Sequence, residues 1–120
     1  PNLKLLYAES QIGWIPYFIE RADDTWRTHQ WAQCEKRIPK PPSHYYKKHV
    51  YSCFFKDTVG IDLLDRIGED NVLFETDYPH QDGTFPNTLA IAEELFGHLE
   101  QETIDKIARN NAIKLFGLTI

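Results

Sequence analysis

Three short apolar runs, each followed by a segment of helical period, constrain this chain more than any other feature. Leu3-Lys4-Leu5-Leu6-Tyr7-Ala8 lies between Pro1-Asn2 and Glu9-Ser10. With apolar residues at both alternating positions, it predicts a buried strand of the parallel kind. Beyond the Gly13-Trp14-Ile15 turn, Pro16 suits a first helical turn. Ile15, Phe18, Ile19, Ala22 and Trp26 then recur on one face of a helix expected to end near His29 to Trp31. Val50-Tyr51-Ser52-Cys53-Phe54-Phe55 predicts a second strand, rich in aromatic and β-prone residues. Asp57 or Thr58 caps the next helix, whose Ile61, Leu64 and Ile67 share a face and which Gly68 ends. Asn71-Val72-Leu73-Phe74-Glu75-Thr76 is the third strand, running into Asp77-Tyr78-Pro79-His80. Ala92, Leu95, Phe96 and Leu99 mark one further helix, and Ile104, Ile107, Ala108 and Leu115 the last, with Gly117 as its cap.

The order β-α-loop-β-α-β-α-α argues an α/β fold with parallel strands and right-handed crossovers. Between Gln33 and Lys48 the periodicity is lost, and Ile38-Pro39-Lys40-Pro41-Pro42 predicts a loop, because proline lacks an amide donor and restrains its predecessor. That region and its border hold Lys36, Arg37, Lys40, Lys47 and Lys48, which either attract an acidic substrate or simply face solvent.

Composition narrows the partners. At 42% apolar and 13% aromatic the chain can build a core, and its net charge of −5 disfavours nucleic acid and anionic membranes. No apolar run approaches the ~20 residues that span a bilayer. Cys34 and Cys53 do not form a CxxC pair and read as two reduced thiols. No signal peptide is visible, so the compartment expected is the cytoplasm.

In parallel α/β architectures, chemistry gathers at the C-terminal ends of the strands. Here the first strand ends in Glu9-Ser10 and the third in Glu75-Thr76-Asp77-Tyr78-Pro79-His80, so two strands deliver carboxylates to one rim. Strand alternation puts Glu75 and Leu73 on the same side as Asp77, and Tyr7 and Leu5 on the same side as Glu9. Metal ligation or acid/base work is one reading of these carboxylates, and an ion pair with a neighbouring Arg or Lys is the other. His80, three residues after Asp77, can face the same pocket or bond the backbone, whereas His29, His44, His49 and His98 read as surface groups. GxxxxGK[ST], GxGxxG, HExxH and GxSxG are all absent.

The stretch Ile67 to His80, with Thr76-Asp77-Tyr78-Pro79-His80 at its end, resembles the last barrel strand of the amidohydrolase-related family, which comprises metal-dependent hydrolases and decarboxylases. The opening Pro1 to Ser10, with Gly13-Trp14-Ile15-Pro16-Tyr17, is similar to that family's sixth strand and following helix. The closing Asn110-Asn111-Ala112-Ile113-Lys114-Leu115-Phe116-Gly117-Leu118 is similar to its final helix. The resemblance implies that residues 1–120 are one partial domain of a distorted (β/α)8 barrel, strands six to eight with the C-terminal helices and no separate second domain. A barrel of this class takes ~250 residues, so the 120 residues and the start at Pro1 read as a C-terminal portion of a longer protein.

By the same resemblance Asp77 is the metal-binding aspartate of strand eight, with Asp77, Glu9 and His80 as catalytic candidates. Tyr78, His80 and Trp14 are the candidate substrate contacts. The implied cofactor is a divalent ion, zinc first, with manganese, iron or magnesium as alternatives. The family's His-x-His and a further histidine supply most ligands and have no counterpart here, so the chain alone is expected to be inactive. The family often has histidine where Glu9 stands. The implied function is therefore hydrolysis of a C–N or C–O bond by a metal-activated water. The alternatives are non-oxidative decarboxylation, or a non-catalytic remnant in which Glu9 replaces the usual histidine. The expected partners are a small-molecule substrate, with carboxylates among the candidates, and either a second copy or the rest of the barrel, since three parallel strands leave two open edges.

Overall fold

The computed structural model describes residues 2–32 and 38–120, so Cys34, Lys36 and Arg37 lie outside the described residues. Strands β1 (Leu5–Tyr7), β2 (Val50–Phe54) and β3 (Val72–Phe74) form one parallel sheet in the order β1-β2-β3. Its register sets Tyr7 beside Ser52 and Ser52 beside Val72 on one face, and Cys53 beside Leu73 on the other.

Helix α1 (Ile15–Thr28) follows β1, and Pro16 sits in its first turn, where a missing amide costs nothing. A 3-10 turn over Gln30–Ala32 follows it. Helix α2 (Pro42–His49) lies where the proline-rich stretch predicts a loop. The prolines set where that helix starts: Pro41 is extended with ψ 154°, and Pro42 occupies a first-turn position. Beyond β2, the single predicted helix divides at Leu63 into α3 (Thr58–Asp62) and α4 (Leu64–Ile67). Asp57 caps α3 by accepting from Gly60 N at 2.8 Å. A 3-10 turn over Glu69–Asn71 leads into β3. Helix α5 (Thr88–Phe96) follows the rim loop. The final predicted helix is α6 (Gln101–Asp105), a π-helical segment (Lys106–Asn110) and α7 (Asn111–Phe116), capped by Gly117 at φ 63°.

The helices bury one face of the sheet. Ile12, Ile15, Phe54, Ile61, Leu64, Ile67, Val72, Phe96 and Ile107 form the core. Phe54, Phe74 and Phe96 meet edge-to-face at 5.2–5.9 Å between ring centroids, worth about 0.5–1.5 kcal/mol per pair beyond area burial. Asn111 is buried and donates to Glu69 O at 2.7 Å and Val72 O at 2.8 Å, which fastens the C-terminal helices to the start of β3. On the other face Tyr51, Cys53 and Leu73 are buried, with Ala112 and Leu115 against them. Cys53 is a free thiol, and burial, reinforced by the charge and hydrogen bond of Glu75, pushes it up to about 12, which leaves it protonated and inert.

Within these 120 residues β1 is exposed along its length, where its apolar run predicts burial. It is the sheet's edge, and among the described residues only β2 pairs with it. No helix among the described residues is long and apolar enough to cross a membrane.

Candidate metal centre at the strand C-termini

Glu9, Asp77 and His80 converge at the C-terminal rim of the sheet, with one donor atom from each within 4.8 Å of the others. Glu9 and Asp77 both leave the strand direction through the left-handed region, at φ 55° and 54°. Non-glycine residues enter that region at a cost, so it recurs where a side chain must be aimed rather than packed. These turns also end the strand alternation. Leu73 and Glu75 do share a face, because Glu75 reaches the Cys53 thiol, but Tyr7 pairs with Ser52 on the helix-covered face and does not follow Glu9.

Asp77 is the buried member, its side chain 7% exposed against 59% for His80. His80 Nδ1 lies 2.7 Å from Asp77 Oδ1, and His80 N donates to Asp77 O at 2.9 Å. That hydrogen bond, and then the charges of Asp77 and Glu9, raise the imidazole above its ordinary value. Glu75 lies beneath: its N donates to Phe54 O at 2.9 Å, extending the ladder, and its Oε1 accepts from Glu9 N at 2.7 Å. Burial pushes the Glu75 carboxyl above the usual range, the Asp77 charge pushes it further, and the bond from Glu9 N pulls the other way. Among the described residues no Lys or Arg pairs with Glu9, Glu75 or Asp77.

The cluster opens into a concavity lined also by Phe55, Gln81 and Asp82. The loop bearing Asp82 is pressed against the rim. Thr84 N and Oγ1 both donate to Thr76 O, at 2.9 and 3.1 Å, and Lys56 Nζ donates to Asp82 O and Gly83 O. A Cβ at Gly83 would stand 2.8 Å from both Thr76 O and Asp77 O, so only glycine fits there.

Tyr78 and Trp14, expected as substrate contacts, do not line this concavity. Tyr78 is exposed with its ring against Phe85 at 4.9 Å. Trp14 spends its indole N–H on Ser10 O and Gln11 O, and its ring packs edge-on against Tyr7 and Phe18. Lys47 and Lys48 lie at the opposite end of the sheet, in a hollow with Lys4 and Lys114, because α2 delivers them to the start of β2. They do not line the carboxylate rim. Asp57, expected only as a cap, also accepts from Ile12 N and Gly13 N at 2.6 and 2.7 Å. No sequence spacing announces that role, since the partners are 44 and 45 positions away.

The donor set of two carboxylates and one imidazole, with no thiolate, suits a hard or borderline divalent cation. With His80 Nδ1 hydrogen-bonded to Asp77, the two carboxylates are the donors left for an ion and leave open positions of the kind catalytic ions keep.

The sequence model described as amidohydrolase matches residues 1–118. An amidohydrolase structure from Mycobacterium avium subsp. paratuberculosis is 27% identical, with a TM-score of 0.77 over 96% of this chain and 28% of that one. The 5-carboxyvanillate decarboxylase of Sphingomonas paucimobilis, 19% identical, superposes with a TM-score of 0.72 over 98% of this chain and 34% of its own. A dihydroxybenzoic acid decarboxylase from Polaromonas, with bound manganese and 2-nitroresorcinol, is 23% identical at a TM-score of 0.67, over 97% and 34%. The chain thus spans about a third of the length of these proteins. Its three parallel strands and their helices are part of a (β/α)8 barrel. With all but its last two residues matched by one family's sequence model, the chain belongs to the amidohydrolase family.

Proposed function

We propose that this chain supplies part of the divalent-metal centre of a metal-dependent enzyme, with Asp77 and Glu9 as ligands and His80 as the group that holds and moves a proton. The carrying observation is the convergence of Glu9, Asp77 and His80 on an open concavity with no Lys or Arg, among the described residues, to neutralise them. A divalent ion bound there supplies an electrophile and lowers the pKa of a water towards ~7. Asp77, largely shielded from water, offers a fixed carboxylate, and His80 Nδ1 orients it by hydrogen bond. The ring's other nitrogen is then left to exchange a proton with a substrate or water in the concavity. Phe55 gives one apolar wall.

The reaction this arrangement serves most directly is hydrolysis of a C–N or C–O bond in a small molecule. A second reading, non-oxidative decarboxylation of an aromatic carboxylate, draws support from the fold shared with the Sphingomonas and Polaromonas decarboxylases. In both readings residues 1–120 act as one partial barrel domain, and the exposed apolar Leu5, Leu6 and Tyr7 of β1 meet the remaining strands. The resemblance assigns the other metal ligands to those strands. Manganese is the ion seen in the Polaromonas enzyme, so it stands ahead of zinc here.

The test is elemental analysis of the protein carrying this chain, with Asp77→Asn alongside. About one divalent ion per protein, lost in the variant, is expected. Carbon dioxide release from hydroxybenzoates, set against cleavage of esters and amides, then separates the two reactions. Equal metal content and turnover in Asp77→Asn would instead favour a non-catalytic remnant.

A further inference from the structure

We infer that Asp57 is a positioning residue for the rim site: its carboxylate fixes the turn after β1 in the conformation that stands Glu9 beside Asp77 and His80. The inference rests on reading the rim as a divalent-metal centre.

The turn from Ala8 to Gly13 needs such a brace. Glu9 and Gln11 both adopt left-handed backbone, at φ 55° and 54°, within three residues. Conformations of that kind persist only where the surroundings over-determine them. Upstream, Glu9 N is held by Glu75. Downstream, Asp57 Oδ2 accepts from Ile12 N at 2.6 Å and Gly13 N at 2.7 Å, while Oδ1 accepts from Gly60 N at 2.8 Å. One side chain thereby ties the turn after β1 to the turn after β2 and to the first turn of α3. A helix cap requires only the bond to Gly60. The other two bonds serve the turn that carries Glu9.

The fit leaves no spare space. A Cβ on Gly13 would lie 3.0 Å from Asp57 Oδ1, and one on Gly60 would collide with Ile12 and Asp57 Oδ2. Both neighbours are glycine because the carboxylate is packed against their backbones. Ile12 is fully buried, so the clamp ties the turn that carries Glu9 to the hydrophobic core. Asp57 is absent from the ligand cluster, so its role there is to position the turn that carries Glu9.

Manganese titration of the metal-free protein carrying this chain tests the inference. Asp57→Asn keeps the side-chain shape but turns an amide N–H₂ toward backbone donors. It is expected to weaken manganese binding by about tenfold, the low end for residues that orient a ligand. Ile67→Val, in the helix-side core, is the control: it lowers the unfolding midpoint and leaves manganese affinity unchanged. An Asp57→Asn protein that loses stability like Ile67→Val and binds manganese like the parent overturns the inference. If Asp57→Asn does not fold, Gly13→Ala decides, because its methyl displaces Oδ1. Weaker manganese binding supports the clamp, and unchanged binding overturns it. Asp77→Asn keeps the two levels apart: if it binds manganese as tightly as the parent, the metal-centre reading itself fails, whatever Asp57 does.

Discussion

The two ends of β3 each gather acidic side chains, and they treat them in opposite ways. At the N-terminal end Glu69, Asp70 and Glu102 surround Lys106, whose Nζ bonds Glu69 and lies 3.2 Å from Asp70 and 3.7 Å from Glu102. Hydrogen bonds from Lys106, and then from Thr103, hold Glu69 below the usual carboxylate range. At the C-terminal end Glu9 and Asp77 share one histidine, Glu75 lies beside them, and burial pushes Glu75 the other way. The first cluster is complete as protein. The second collects like charges that disfavour one another's ionised form. The strand is the same, so the two ends differ in their partners: a lysine and a threonine from the C-terminal helices at one, and at the other an open rim that the proposed divalent ion would occupy.

Metal addition should separate the ends most. At a manganese concentration one hundred times Kd, the protein carrying this chain gains about 2.7 kcal/mol of stability by mass action. Denaturant unfolding reads it directly. Asp77→Asn should remove most of that increment, whereas Lys106→Met should leave it intact while lowering the starting midpoint. An Asp77→Asn protein that still gains the full increment would erase the contrast between the two ends.

The Lys106 cluster makes the second claim, on pH. Glu69 has a folded-state pKa below its unfolded one, so its contribution is present above the unfolded carboxylate value and is lost as pH falls through the depressed folded value. Metal-free parent protein should therefore lose stability on acidification from near pH 5 downward. Lys106→Met, with no ammonium to depress Glu69, should lose less over the same window. Parallel curves would show that Lys106 does not set the pH response.

Of this contrast only the C-terminal end was legible in the sequence, for identifiable reasons. Glu9 and Asp77 stand out because charged residues directly follow apolar strands, and parallel strands share one functional rim. The Asp57 cap and the Gly117 cap follow from local backbone chemistry that needs only a few neighbours. What failed depends on distant partners. The burial of β1 is set by what pairs with it, not by its own apolar residues. Strand alternation could not carry Tyr7 to the side of Glu9, because the chain turns left-handed at Glu9 itself. The prolines at 39, 41 and 42 mark both the end of a loop and the start of α2, and a periodicity count sees only the first. Tyr78 adjoins Asp77 and Trp14 follows the turn that carries Glu9, yet their rings pack on Phe85 and on Tyr7 and Phe18.

The smallest effect gives the finest test of the C-terminal end. Glu75→Gln keeps an oxygen to accept from Glu9 N and removes one of three clustered negative charges. In metal-free protein the loss of repulsion against Asp77 and Glu9 should raise stability, by less than about 1 kcal/mol for partly solvated charges. With manganese bound the sign should reverse: the missing charge no longer supports the cation, and affinity falls. Chemical unfolding with and without metal measures both from the same sample. Opposite signs mean that Glu75 is retained for the cation. A loss of stability in both states would make Glu75 a structural acceptor for Glu9 N and Cys53 only, and the two ends of β3 would then differ less than their charges suggest.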